Sequence, residues 1–208
     1  MAGQNRSTHR MITGAGGRNW IYRIARVAAR IVLATLYRID IEGREHLPRD
    51  TAFVLLPKHQ RWQDVPLVGL ATPAFLTYVA KYELFINTLS RSIITALGGI
   101  PLNRKHPMES RRTLQAIRHH LAHNRGLVVF PEGTYFPDAM GPGNLGILRF
   151  IVSSAKVPLI PMGIRYSKQF PRSKVRICFG QPIHPDNETD PQALLNEVMD
   201  KIAELSGL

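Results

Sequence analysis

The feature that most constrains this chain is a series of short apolar runs with helical patterns between them. The runs are Ile39–Glu42, Ala52–Leu56, Leu76–Ala80, Leu127–Phe130, Leu159–Ile164 and Val175–Phe179. Each is strand-sized, and several are bounded by Pro or Gly. Helical patterns occupy Leu84–Leu97, Met108–His123, Ile147–Ala155 and Pro191–Ser206. Strands alternating with helices predict an α/β domain, a sheet flanked by helices. Asp190 is expected to cap the last helix, with Pro191 at its first position. At 208 residues the chain suits one domain plus a short extension, and no internal linker interrupts residues 39–208.

Residues 1–18 read as a flexible basic tail: Arg6 and Arg10 are followed by Gly14, Gly16 and Gly17 rather than by the apolar core of a signal peptide. Residues 19–38 read as a helix. Asn19, Arg23, Arg26 and Arg30 recur at spacings that place them on one stripe, and Trp20, Ile24, Val27, Ile31 and Leu36 help to cover the remaining circumference. The arginines interrupt a run that would otherwise approach the length of a membrane span. The pattern fits an amphipathic helix lying in the headgroup region, its arginines reaching for phosphates. A first helix docked on the core with a solvated basic face is the alternative.

Lys and Arg number 27 against 15 Asp and Glu, a net charge of +12. Such a balance favours a polyanionic partner, without choosing between lipid headgroups, nucleic acid and phosphorylated substrates. Cys178, the single cysteine, excludes an internal disulfide and fits a reducing compartment.

Three segments carry candidate chemistry, and a fourth is structural. The first, Lys58-His59-Gln60-Arg61-Trp62-Gln63-Asp64, follows an apolar strand that Pro57 ends. Active sites of open α/β sheets gather where strands lead into helices. A histidine there can take a proton from an attacking hydroxyl, and an aspartate five residues on can return to its other ring nitrogen. The second, Gly98-Gly99-Ile100-Pro101-Leu102-Asn103-Arg104, is an extended segment that delivers a guanidinium suited to phosphate. In the third, Val128-Val129-Phe130-Pro131-Glu132-Gly133-Thr134, a strand breaks into an acid, a turn-forming glycine and a hydroxyl. Lys156-Val157-Pro158-Leu159-Ile160-Pro161 reads as a buried strand.

In this order and at these distances, the four segments resemble the glycerolipid acyltransferase family, which includes the 1-acylglycerol-3-phosphate (lysophosphatidic acid) acyltransferases. The resemblance covers about residues 39–185. It implies His59 as general base, Asp64 as its orienting partner, Arg104 on the acceptor phosphate, and Glu132, Gly133 and Thr134 lining the acceptor site. The reaction implied is acyl transfer from acyl-CoA or acyl-carrier protein to the free hydroxyl of a lysophospholipid, foremost 1-acylglycerol 3-phosphate, giving phosphatidic acid. No cofactor beyond the co-substrate and no metal are expected. The implied location is the cytoplasmic face of a membrane, peripheral or monotopic.

The chain departs from the family pattern at Tyr135, where arginine usually follows Glu-Gly-Thr, and at Lys58 and Arg61, where the family has Asn and Ser. Either Lys58 or Arg61 takes over the phosphate, or the acceptor is another lysolipid.

Other chemistries fit less well. Gly141-Pro142-Gly143-Asn144-Leu145-Gly146 matches a dinucleotide glycine pattern, but it follows Pro137 and Met140 rather than a strand, and no acid follows about 20 residues on. No G-x-S-x-G nucleophile elbow is present. The competing class is a non-catalytic basic protein binding anionic membrane or nucleic acid. The chain carries no signature of a nucleic-acid-reading module, and nucleic acid is not expected as a partner.

Overall fold

A computed structural model describes residues 19–208, apart from 89–90, 92–93, 96–98, 103–106, 124, 155 and 187. The basic tail read at residues 1–18, and Arg104, lie outside the described residues. In chain order the helices are α1 (Asn19–Leu36), α2 (Asp64–Ala71), α3 (Pro107–Ala122), α4 (Leu145–Ser154) and α5 (Pro191–Ser206). The strands are β1 (Tyr37–Glu42), β2 (Phe53–Pro57), β3 (Leu76–Lys81), β4 (Gly99–Leu102), β5 (Gly126–Val128), β6 (Leu159–Ser167) and β7 (Ser173–Phe179).

The strands form one seven-stranded sheet in the order β1-β7-β6-β2-β5-β3-β4. The neighbours from β6 through β2, β5 and β3 to β4 are all parallel. β7 is antiparallel to β6, and β1 is parallel to β7. The tight β6–β7 connection makes the antiparallel pair, whereas adjacent parallel strands need crossovers.

Burial on both faces explains why the central strands read as continuous apolar runs. All five residues of β2 are buried, with Val54 and Leu56 in one core cluster and Phe53 and Leu55 in the other. The first cluster takes Ile117 and Leu121 of α3, Ile151 of α4, and Leu194, Val198 and Ile202 of α5. The second takes Leu33 of α1 and Leu67, Val68 and Ala71 of α2. The result is a single α/β domain, a mixed sheet between two helical layers.

The caps of α5 follow the sequence. The Asp190 side chain accepts from the amide of Ala193 at 2.9 Å, and Gly207 closes the helix with φ 66°. Helix α2 was not expected. Its residues, Asp-Val-Pro-Leu-Val-Gly-Leu-Ala, are almost uniformly apolar and so lack a helical period, and Pro66 falls in the first turn, where it is tolerated. Over the helix expected at Leu84–Leu97, the described part opens with a 3₁₀ turn at Tyr82–Phe85.

In α1, Leu33 is buried, whereas Ile24, Val27, Ile31, Val32 and Leu36 are each more than half exposed. The side chain of Arg26 turns toward the protein: its Nη2 donates to the carbonyl of Thr72 at 2.9 Å. Arg26 is therefore not directed away from the protein, as the stripe suggested, but meets the carboxyl end of α2. No helix among the described residues is long and apolar enough to cross a membrane.

Candidate active site

β2 ends at Pro57, and its chain continues directly into the segment carrying His59. The amide of Lys58 still bonds the carbonyl of Met162 on β6 at 2.8 Å, so the turn starts from a fixed point on the sheet. Asp64 is the first residue of α2 and is fully buried. Its Oδ2 faces Nδ1 of His59 at 3.2 Å and accepts from the amides of Gln60 (2.5 Å) and Arg61 (2.7 Å). Its Oδ1 accepts from the hydroxyl of Tyr166 on β6 at 2.6 Å. A buried carboxylate with four polar neighbours and the amino end of a helix is held in one orientation. The His59 ring is thereby held by Nδ1, and its Nε2 has no partner among the described residues.

Aromatic rings flank this imidazole. Phe130 stacks on it with ring centroids 3.8 Å apart, and Tyr135 meets it edge-on at 4.5 Å. Tyr135, where the family pattern has arginine, thus packs against the histidine. Arg61 stacks its guanidinium on the Tyr166 ring, 4.4 Å from the centroid. Burial first, then the neighbouring Asp64 carboxylate, hold the Tyr166 phenol far above the ordinary tyrosine range, so it remains a donor.

Lys58 and Glu132 take places different from those expected. The side chains of both are completely enclosed. Lys58 Nζ donates to both Glu132 oxygens, at 2.7 and 2.8 Å, and to the carbonyl of Phe136 at 2.9 Å. The same carboxylate accepts the amide of His59 at 2.9 Å and that of Gly141 at 2.7 Å. Neither group is open to a ligand. The expected phosphate contact of Lys58 and acceptor contact of Glu132 are therefore replaced by an internal ion pair, which ties the His59 segment to the loop after β5. Gly141, from the stretch that matched a dinucleotide glycine pattern, thus directs its amide at Glu132.

Gly133 sits in this loop with φ 66°, a conformation in which a side chain is strained. Thr134 is exposed and Gly133 partly so. Gln60, not singled out from the sequence, also joins the two loops: its Nε2 donates to the Ile164 carbonyl at 2.6 Å and its Oε1 accepts from the Asp138 amide at 2.9 Å. Tyr166 was missed as well; a tyrosine at the carboxyl end of the strand beside β2 was its one available signal. Cys178 is buried in β7, away from this constellation.

The arrangement offers a histidine held by a buried carboxylate, an open Nε2 and an apolar aromatic setting, which together can take up and return a proton.

The sequence matches the family model described as Acyltransferase over residues 38–165. It is 27% identical over 169 residues to the 1-acyl-sn-glycerol-3-phosphate acyltransferase of Bacillus subtilis, covering 79% of this chain and 83% of that protein. It is 29% identical over 203 residues to a chloroplastic 1-acyl-sn-glycerol-3-phosphate acyltransferase of Arabidopsis thaliana, covering 90% of this chain but 54% of that longer protein. A shorter match, 29% identical over 106 residues, is to the lyso-ornithine lipid O-acyltransferase of Pseudomonas aeruginosa, covering 51% of this chain and 39% of that one. The crystal structure of a 1-acyl-sn-glycerophosphate acyltransferase from Thermotoga maritima shares the fold, with a TM-score of 0.71 at 23% identity over 91% of this chain and 80% of that one.

Proposed function

The chain belongs to the acyltransferase family, and from that premise we propose that it transfers a fatty acyl group from a thioester to the free hydroxyl of 1-acylglycerol 3-phosphate. The observation that carries this reading is the His59–Asp64 pair at the end of β2, with Nε2 left open for the acceptor. Relatives named as acyltransferases for this acceptor support it.

In this mechanism the acceptor hydroxyl lies against Nε2 of His59 and gives up its proton as its oxygen attacks the thioester carbonyl. The new C–O bond forms, the C–S bond breaks, and the imidazolium returns the proton to the leaving thiolate. Asp64 stabilises the imidazolium formed in between. A thioester is already activated, so positioning and general-base help suffice, and no acyl-enzyme is needed.

With Lys58 committed to Glu132, the acceptor phosphate falls to Arg61 and Arg104. Gly133 and Thr134 border the acceptor. The donor is acyl-CoA or acyl-carrier protein. We place the enzyme on the cytoplasmic face of a membrane, where both donors are available, with the exposed apolar residues of α1 against the lipid. Tyr135 in place of a cation favours a second reading, in which the acceptor is a lysolipid with a different headgroup, as the name of the Pseudomonas relative illustrates.

Purified protein, mixed lysolipids and each thioester donor, with product identified by mass, form the test. Phosphatidic acid as the main product is expected, and Arg61→Ala should raise KM for the acceptor while leaving that for the donor nearly unchanged. Another acylated lysolipid as the main product selects the second reading. No transfer to any lysolipid rejects both.

A further inference from the structure

A groove of about 530 Å³ is lined by residues of α1, of β1 and of the end of α2, and none of the residues placed around His59 is among them. Five arginines line it: Arg26, Arg30, Arg38, Arg44 and Arg172. No carboxylate is among its lining residues. Arg26, Arg44 and Arg172 donate to carbonyls, those of Thr72, Ala71 and Ala34 respectively. These bonds aim the guanidinia and satisfy some of their protons, but a carbonyl cancels no charge. Asp40 stands 3.7 Å from Arg38, yet it is shared with Lys174, which holds it at 2.8 Å. Arg30 is exposed and has no hydrogen-bond partner among the described residues. Several like charges gathered on one cavity, with only the shared Asp40 paired to any of them among the described residues, favour an anion within it.

The remaining lining residues are mostly apolar, Ile39, Ile41 and Leu70 among them, with Tyr37, whose ring meets that of Tyr166 edge-on at 5.8 Å. A free phosphate gains nothing from such walls, whereas the glycerol and first methylenes of a lipid do. The groove is also bounded by α1, whose exposed Ile24, Val27 and Ile31 lie on the helix that carries Arg26 and Arg30. We propose that this groove binds the phosphate headgroup of an anionic bilayer phospholipid, at a site separate from that of the acceptor. The proposal rests on the reading that α1 lies on a membrane, but not on the acyl-transfer reaction.

Vesicle binding decides it without reference to activity. The full-length protein is titrated with vesicles of phosphatidylcholine alone and of phosphatidylcholine with phosphatidylglycerol. The variants are Arg30→Gln/Arg38→Gln in the groove, Arg149→Gln/Lys156→Gln with the same charge change on the opposite helical layer, and Ala34→Trp, which fills the groove with no change of charge. A basic residue near an anionic surface is worth about 1 kcal/mol, so the groove pair should lose at least about tenfold in affinity for anionic vesicles. Ala34→Trp should lose the anionic preference while retaining its binding to phosphatidylcholine. The opposite-layer pair should behave as wild type. Because Ala34 lies on α1, thermal melts verify folding, and Ala34→Leu is the smaller replacement if tryptophan unfolds the helix.

Equal losses in the two double variants, with Ala34→Trp and Ala34→Leu unchanged, mean diffuse surface attraction and overturn the groove. Inorganic phosphate or glycerol 3-phosphate competing as well as vesicles do overturns the lipid in favour of a soluble anion. Failure of wild type to bind either vesicle removes the membrane premise and the proposal with it, leaving acyl transfer to micellar substrate as a separate question.

Discussion

Tyr166 donates its hydroxyl hydrogen to Oδ1 of Asp64 at 2.6 Å, while the other oxygen of that carboxylate faces the ring of His59. Strand β6 thereby contributes to the orientation of a histidine carried after β2. Tyr166→Phe keeps the ring on which Arg61 stacks and removes only the donor. A hydrogen bond to a charged group contributes about 1.5–3 kcal/mol, so kcat should fall roughly ten- to hundredfold. The acceptor KM should hold. A rise in KM at constant kcat would instead make Tyr166 a binding group.

His59→Ala should lower kcat about 10²–10⁴-fold with the fold intact. Asp64→Asn should act on the same step, and the double variant should be little worse than His59→Ala alone, since the two groups work as one unit. Turnover near wild type in His59→Ala, or additive losses in the double, contradicts the mechanism.

The Lys58–Glu132 pair predicts a stability signature rather than a substrate one. Breaking a buried ion pair from one side costs about 3–5 kcal/mol, because the surviving charge stays buried. Lys58→Met and Glu132→Leu should each destabilise by that order in urea denaturation. The double variant should cost less than their sum, yet not regain wild-type stability, because the amides of His59 and Gly141 lose their acceptor. Unaltered stability of Lys58→Met with a raised acceptor KM would return Lys58 to the role expected from the sequence.

His120 on α3 gives a pH dependence. Burial, then the positive charge of Arg125 and the neighbouring His119 and His123, lower its pKa from 6.5 to about 4. Thr77 Oγ1 lies 3.4 Å from its Nδ1. With a folded pKa below the unfolded one, unfolding takes up a proton between those values. Stability therefore falls as pH drops from 6.5 toward about 4, and this contribution is constant above. His120→Gln should flatten the urea midpoint across that window. An identical slope in the variant assigns the acid sensitivity elsewhere.

What the sequence disclosed follows from how local each signal is. β2 was legible because burial on both faces leaves no polar residue in Phe53–Leu56. His59 and Asp64 were legible because a single turn carries both. Lys58 and Glu132 were noticed but misassigned, since nothing in either segment tells an outward charge from one that meets its counter-ion across the fold. Tyr166 was missed for the same reason: its partner, Asp64, opens a helix about a hundred residues earlier in the chain, and the pairing has no period. Helix α2 escaped because a helix buried on nearly every side has no amphipathic rhythm.

The reversal between β6 and β7 also has a consequence for how the molecule is assembled. β1 is held in the sheet only through β7, Tyr37 lying opposite Ser173, so its partner is synthesised long after it. On the ribosome, α1 and β1 emerge and wait, while β2, β3 and β5 already have neighbours to gather. An edge closed by so long a loop forms late and slowly. Until it does, the apolar residues of α1 and an unpaired strand are exposed together, making this end the segment most dependent on a chaperone or a nearby bilayer during synthesis.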